Sequence, residues 1–271
     1  MNTINLVKIG SDAIVCKDNK HLKESIIEKI FMDIVMHEQK TGERFIVVSS
    51  GAIALGRALL GDDYTDAELF ESGWNKLLEM YQDIIGNKKW IQGYLLQDNM
   101  NREMTQNLIH NFREDFAGNC LSIVNHDDRL SDSESGKIIS KTDNDYNAYR
   151  INCMINENRS RTLLHIARVF FFTNTRGVLN QTGQTVTGFH SKNDIQTMQG
   201  VEMLRSYIYD TKSSQGTGGM ESKIRYGGDC LMQGAKEIYI ADAQDGLDCL
   251  SNTGIATKMS YDFEPSSLQN N

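Results

Sequence analysis

Proline is almost missing: Pro265 is the single one in 271 residues. Turns must therefore be made by Gly, Asn, Asp and Ser, which are plentiful. The five cysteines (Cys16, Cys120, Cys153, Cys230, Cys249) are an odd number with no Cys-x-x-Cys spacing. That argues against a disulfide framework or a zinc site and suits free thiols in a reducing compartment. The six histidines include no His-x-x-x-His pair, so no metal cluster is expected. No apolar run is long enough to span a bilayer, and Met1 to Gly10 carries no signal-peptide pattern. The expectation is a cytoplasmic chain with no membrane partner. Positive charge is in the minority: the formal net charge of −8 argues against nucleic acid as the main partner. A small anionic ligand stays open, because it responds to the local field. There is no internal repeat and no low-complexity linker, so one domain is expected.

What is present is led by one stretch, Gly216-Thr217-Gly218-Gly219-Met220-Glu221-Ser222-Lys223. Three glycines in four positions make a poor helix or strand interior, but they let a ligand approach the main chain. Successive N–H groups in such a loop can cradle an anion. The apolar spacing of Met220, Ile224, Cys230, Leu231 and Ala235 predicts a helix from Met220 to Gly234. A glycine loop opening a helix gathers free N–H groups and the positive end of the macrodipole, which suits phosphate. Lys223 in the first turn is locally disfavoured unless an anion meets it. The plain alternative is a turn that binds nothing. Lys223 is followed by Ile224, so this is not a Walker A loop.

Upstream, Asn5 to Ile9 predicts a buried strand with Lys8 near its carboxyl end, closed by Gly10. Lys8 either meets an anion there or snorkels from a sheet edge. His21 to Lys40 predicts a helix. Phe45 to Ser49 predicts a second strand that runs into Ser50-Gly51-Ala52, a small-residue turn opening another helix. That is a second anion site by the same physics, unless Ser49 or Ser50 is only an N-cap. Residues 62 to 80 are acidic and read as a loop with a short helix; the segments 81–87 and 90–96 carry no clear pattern. Asn101 to Phe116 predicts a helix. Leu121 to Val124 predicts a third strand ending in Asn125-His126-Asp127-Asp128, groups that suit a ligand's amine or simply a turn. Lys141 to Asp145 is a polar cluster before a helix near Asn147 to Ile155. Further strands are expected at Ala167 to Phe172, Glu237 to Ala241 and Gly254 to Ser260. Strand–loop–helix units in this order imply a mainly parallel, doubly wound sheet.

Taken together, Val7-Lys8-Ile9-Gly10, Ser49 to Arg57, Val124 to Asp128, Asp143-Asn144-Asp145, Thr173-Asn174-Thr175-Arg176-Gly177 and Gly216 to Met220 with Lys223 resemble the amino acid kinase superfamily. Within it they resemble the glutamate 5-kinase family. The resemblance covers about residues 4 to 260 and implies an α/β fold, a three-layer αβα sandwich with a mainly parallel central sheet. It implies an amino acid kinase domain over residues 1–261 with a short tail at 262–271, and no RNA-binding-type PUA domain. The implied reaction moves a phosphoryl group from ATP, with magnesium carried on its phosphates, to the side-chain carboxylate of L-glutamate. The product would be gamma-glutamyl phosphate, the first intermediate of proline synthesis. By position, Lys8 and Lys223 match the lysines flanking the transferred group, and Asp145 the aspartate that orients them. Ser50, Gly51, Asp128 and Asn144 match the glutamate site, with Asp128 on the substrate ammonium. Gly10, Thr173, Asn174, Gly218, Gly219 and Met220 fall at the nucleotide, and Gly10 and Gly51 would offer backbone N–H groups. A homo-oligomer is expected.

Several positions depart from the family pattern. Asn-Glu-Asn-Asp is here Asn125-His126-Asp127-Asp128, and Thr-Asp is Thr173-Asn174. The Asp-Pro beyond it is missing around 180–185, and the 88–100 region is shortened. Two alternatives stand beside the first reading. One is a kinase of another small acid or phosphate; the other is a non-catalytic member that binds a nucleotide or amino acid. The joint presence of Lys8, Asp145 and Lys223 speaks against the second, since a pure binder needs no charges dedicated to a transition state.

Overall fold

The computed structural model describes residues 2–16, 22–130, 144–180, 182–189, 219–251 and 254–260. Gly216 to Gly218, Lys141 to Asp143 and the tail from 262 lie outside them. The strands are β1 (Asn2–Ile9), β2 (Arg44–Ser49), β3 (Trp90–Leu96), β4 (Cys120–His126), β5 (Leu164–Thr173), β6 (Gly188–Phe189), β7 (Glu237–Asp242) and β8 (Ala256–Ser260). They form one sheet in the order β3-β4-β2-β1-β5-β7-β8-β6. Every pair is parallel except β7–β8. The helices are α1 (Ser11–Ile14), α2 (Glu24–Thr41), α3 (Ala52–Leu60), α4 (Asp66–Ile85), α5 (Arg102–Ala117), α6 (Asn144–Glu157), α7 (Arg159–Thr162) and α8 (Met220–Met232).

Two apolar cores, one on each face, make the three layers. Ile4 and Leu6 of β1, Ile46 and Val48 of β2 and Val169 and Phe171 of β5 pack with side chains of α5, α6 and α8. Val7, Ile9, Phe45, Val47, Phe170 and Phe172 face the other way, onto α2, α3 and α4. This is the period-2 alternation of a strand buried on both faces. The alternation on β5 slips at a bulge where Ile4 faces Ile166 but Asn5 faces Arg168. Each large side chain moved wholly into such a core is worth about 1.5–3 kcal/mol.

The acidic stretch read as a loop with a short helix is in fact most of α4, twenty residues long. Its acidic groups lie outside or at its start, while Leu69, Phe70, Trp74, Leu77, Tyr81 and Ile85 form one buried face. Thr65 and Glu68 close a capping box at its N-terminus. α4 crosses α3 at glycines: a Cβ on Gly73 would lie 1.8 Å from the Ala52 carbonyl oxygen, and one on Gly56 1.8 Å from that of Leu69. The two backbones touch there, which fixes α3 and the turn that opens it. The segment 90–96 is the edge strand β3.

Candidate active site

Ligands of open α/β sheets bind beyond the carboxyl ends of the strands, where crossovers leave in opposite directions. Here β1 connects to β2 on one side, while the chain from β4 crosses to β5 on the other. Along this rim, from β4 to β7, lie Asp127-Asp128, Ser50-Gly51, Gly10, Thr173-Asn174 and Asp242. The expected acceptor residues fall on the β4–β2 side and the expected nucleotide residues on the β1–β5 side. From β4 to β5 is three strand spacings, roughly 14 Å.

Lys8 sits between these halves. It continues the even-numbered face of β1, so it points at α6 and α8 and is flanked in register by Val48 and Phe171. β1 is a central strand, which removes the sheet-edge alternative. An isolated ammonium buried there would be costly. Lys8 Nζ lies 2.6 Å from Asp145 Oδ1, and Lys223 Nζ lies 3.1 Å from Asp145 Oδ2. Asp145 is fully buried; Lys8 and Lys223 are 4% and 7% exposed. Burial pushes the Asp145 carboxyl up, but the two ammonium charges and their hydrogen bonds outweigh it and hold it at about 2. Both lysines therefore converge on the two oxygens of one ionised carboxylate. One comes from a strand, the other from the first turn of a helix.

On the acceptor side, Asn144 opens α6 one residue before Asp145. Its Nδ2 donates to Asn125 Oδ1 at 3.1 Å, and its Oδ1 accepts from Asn147 Nδ2 at 3.1 Å. Arg150 Nη1 donates to Asn147 Oδ1 at 3.4 Å, and its Nη2 to the Gln97 carbonyl at 2.5 Å. The row fixes Asn144 while leaving it a second donor hydrogen and a second lone pair. Asp128 begins a short 3-10 turn that packs under α4. Asp127 is buried and taken up by a fork from Arg129, with Nε to Oδ1 at 2.8 Å and Nη2 to Oδ2 at 3.0 Å. Those bonds hold its carboxyl below the usual range despite its burial. Gly51, at φ +96, takes a left-handed conformation that a side chain would strain, and it precedes α3 without a side-chain cap. Ser49 is not a cap either: its hydroxyl meets that of Tyr81 at 2.7 Å, both groups fully buried.

On the nucleotide side, Thr173 and Asn174 end β5, with Thr173 Oγ1 donating to Asn174 Oδ1 at 3.4 Å. Gly219 precedes α8, and among the described residues nothing lies within 4 Å of where its Cβ would be. Two expectations need correction. The Gly10 N–H donates to the Phe172 carbonyl at 3.2 Å, so what Gly10 offers is room: a Cβ there would lie 3.8 Å from Lys8 Nζ. The Met220 side chain packs into the core beneath α8, leaving only its backbone at the helix start. Gly218 lies outside the described residues. The sequence reading gave no role to Asn147, Arg150, Arg129 or Tyr81. The first two carried a usable signal, since Asn144, Asn147 and Arg150 recur every three residues along one helix face.

No protein-family model matches the chain. Carbamate kinase from Giardia lamblia bound to AMP-PNP superposes with a TM-score of 0.59 at 12% identity, over 96% of this chain and 99% of that one. An isopentenyl phosphate kinase substrate complex gives 0.60 at 11%, over 94% and 99%. The fold is therefore the one these two kinases share. In sequence the chain is similar to glutamate 5-kinases. That of Enterobacter sp. (strain 638) is 23% identical over 274 residues, 98% of this chain and 70% of that protein.

Proposed function

We propose that the protein is an ATP-dependent kinase of a small carboxylic acid, with the L-glutamate side-chain carboxylate as acceptor and gamma-glutamyl phosphate as product. The observation that carries this reading is the meeting of Lys8 and Lys223 on Asp145 at the rim. Phosphoryl transfer is mostly positioning and neutralisation of charge on the equatorial oxygens, and a carboxylate nucleophile needs no strong base. Two ammonium groups on one carboxylate can turn toward a phosphoryl group passing between the two halves of the rim, while Asp145 keeps them in place. The start of α8 adds backbone N–H groups on the nucleotide side. Asp128 takes the substrate ammonium, and Asn144 with the Ser50–Gly51 turn takes its carboxylate. Among the described residues no group of three or more His, Cys, Asp or Glu side chains is placed to hold a metal. Magnesium would be held by the phosphate oxygens of ATP and would supply charge neutralisation there.

A second reading keeps the chemistry and changes the acceptor. It is favoured by the Arg129–Asp127 fork beside Asp128, which adds a charged pair to the acceptor side. The purified chain with ATP, magnesium and a panel of acids separates the readings. Glutamate-dependent ADP release, with an acyl phosphate trapped by hydroxylamine, is the expected result. Release with aspartate, N-acetylglutamate or UMP instead would move the assignment to that acceptor. Silence with all of them would leave a non-catalytic binder.

A further inference from the structure

Asp145 and Lys223 are one rung of a ladder between α6 and α8. A second rung lies seven residues further on in both helices. Asn152 Nδ2 donates to the Cys230 carbonyl oxygen at 3.1 Å, and both residues are fully buried. Seven residues are about two turns and 10.5 Å of helix, so the two rungs lie on the same pair of facing stripes. Asn152 is itself oriented: its Oδ1 accepts from Asn156 Nδ2 at 3.0 Å. Asn156 Oδ1 in turn accepts the backbone N–H of Ile166 in β5 at 2.9 Å. A continuous buried chain thus runs from β5 through α6 to the far end of α8.

The Asn152 bond is not required to satisfy the end of α8. The Cys230 carbonyl already accepts the N–H groups of Gln233 at 3.2 Å and Ala235 at 3.1 Å. Ile151, Ile155 and Leu231, on the same two helices, belong to the apolar core, where an apolar side chain would be the ordinary choice. A directional amide in an apolar helix seam has one well-attested use, which is to fix register. Register matters here because Lys223 lies in the first turn of α8, two turns from the clasp. A slip of one residue would move Lys223 by 1.5 Å and rotate it by about 100° away from Asp145.

We propose that Asn152 is a positioning residue: its clasp on the Cys230 carbonyl sets α8 against α6 and thereby seats Lys223 on Asp145. This rests on the kinase reading only for its catalytic consequence. Asn152→Leu removes the clasp while keeping a side chain branched at Cγ. The expected kinetic result is a kcat at least ~10-fold lower, with KM for ATP and for the acid within ~2-fold, because the lost property is alignment of a transition-state charge. The activity-independent arm is a double-mutant cycle of Asn152→Leu and Lys223→Met, read by urea unfolding of the whole chain. Sites this far apart with no shared partner normally add. Coupling of at least ~5-fold in the unfolding equilibrium constant is expected, since Lys223 gains less from Asp145 once the clasp is gone. Should Asn152→Leu fail to fold, Asn152→Ala, which leaves Asn156 Nδ2 the Ile166 carbonyl at 3.4 Å, carries the same cycle. Additive unfolding energies overturn the proposal whatever the kinetics. A coupled cycle in a chain that phosphorylates no acid leaves the clasp standing and removes the kinase reading alone.

Discussion

The molecule contains two buried sites of the same make-up at opposite ends of its sheet. At the carboxyl rim Asp145 receives Lys8 and Lys223. At the amino end Glu38, near the end of α2, receives Lys89 at 2.6 Å and Arg44 at 3.5 Å, with Glu38 and Lys89 both almost wholly buried. Burial and pairing therefore do not by themselves mark a functional site. The difference lies in what surrounds each. Glu38 also takes the Phe45 N–H at 3.2 Å and sits where β2 and β3 begin, away from the rim where ligands bind. Asp145 sits between a glycine turn, a helix start and the ends of three strands. The first arrangement ties α2 to two strands; the second gathers two lysines from different elements at the carboxyl rim of the sheet.

The sharpest way to break this comparison is to neutralise each carboxylate. Asp145→Asn and Glu38→Gln each leave buried cations without their anion, at a cost of about 3–5 kcal/mol in stability. Only the first should be partly restored by ATP with magnesium, because only there does a ligand bring replacement negative charge. Chemical denaturation with and without nucleotide measures both. Equal rescue of the two variants, or of neither, would erase the distinction.

The lysines separate the sites by activity. Lys8→Ala and Lys223→Ala should each lower turnover by ~100-fold or more while substrate binding changes far less. Lys89→Met should cost stability and leave turnover per folded molecule within ~2-fold. Steady-state kinetics on all three is the test, and unchanged turnover in Lys8→Ala would remove that lysine from the mechanism.

Acid treats the two ends alike, which sharpens the point that the fold uses both. Burial raises the Asp145 carboxyl, and its two lysines bring it down to about 2. At the amino end burial likewise raises the Glu43 carboxyl, while hydrogen bonds from Asn5, His37 and Arg168 bring it to about 2. Both folded values lie below the ordinary ones, so their stabilisation is complete above about pH 4.5 and is lost as pH falls toward 2. Asp145 contributes on the order of 2 kcal/mol at neutral pH and Glu43 on the order of 3 kcal/mol. Glu43→Gln should flatten the acid limb of unfolding without altering turnover at neutral pH; an unchanged limb would count against the Glu43–Arg168 network.

Much of this was legible in the sequence, and the limits have physical causes. The buried strands announced themselves as apolar runs, so Lys8 stood out as the charge that broke one. The glycine turns marked helix starts, and the resemblance joined Lys8, Asp145 and Lys223 before geometry did. α4 was misread because acidic composition masked an apolar stripe with helical spacing. The role of Gly10 was misread because residue type does not tell where an N–H is spent. Arg129 and Asn152 were invisible for another reason. Asn152 takes its meaning from a partner 78 residues away, and Arg129, whose partner Asp127 is only two residues off, depends on a turn geometry that residue type does not show.

The smallest effect is expected from two neighbours on α4 that serve opposite ends. Tyr81 meets the Ser49 hydroxyl, just before the Ser50–Gly51 turn. Gln82 accepts the Ile91 N–H at 2.8 Å and donates to the carbonyls of Gly86 and Lys89, at the start of β3. Tyr81→Phe removes one buried hydroxyl and leaves Ser49 with the Ser50 carbonyl at 3.2 Å as its acceptor. The loss in stability should be about 1 kcal/mol. Because the freed serine adjoins the acceptor turn, KM for the acid should rise by ~2–5-fold while KM for ATP holds, a fraction of a single hydrogen bond. Gln82→Leu leaves the half-buried Ile91 N–H without its partner and should cost a similar amount of stability, yet leave both KM values alone. If the two substitutions shift the acid KM equally, α4 acts as a uniform brace, and the carboxyl end of β2 has no special hold on the acceptor.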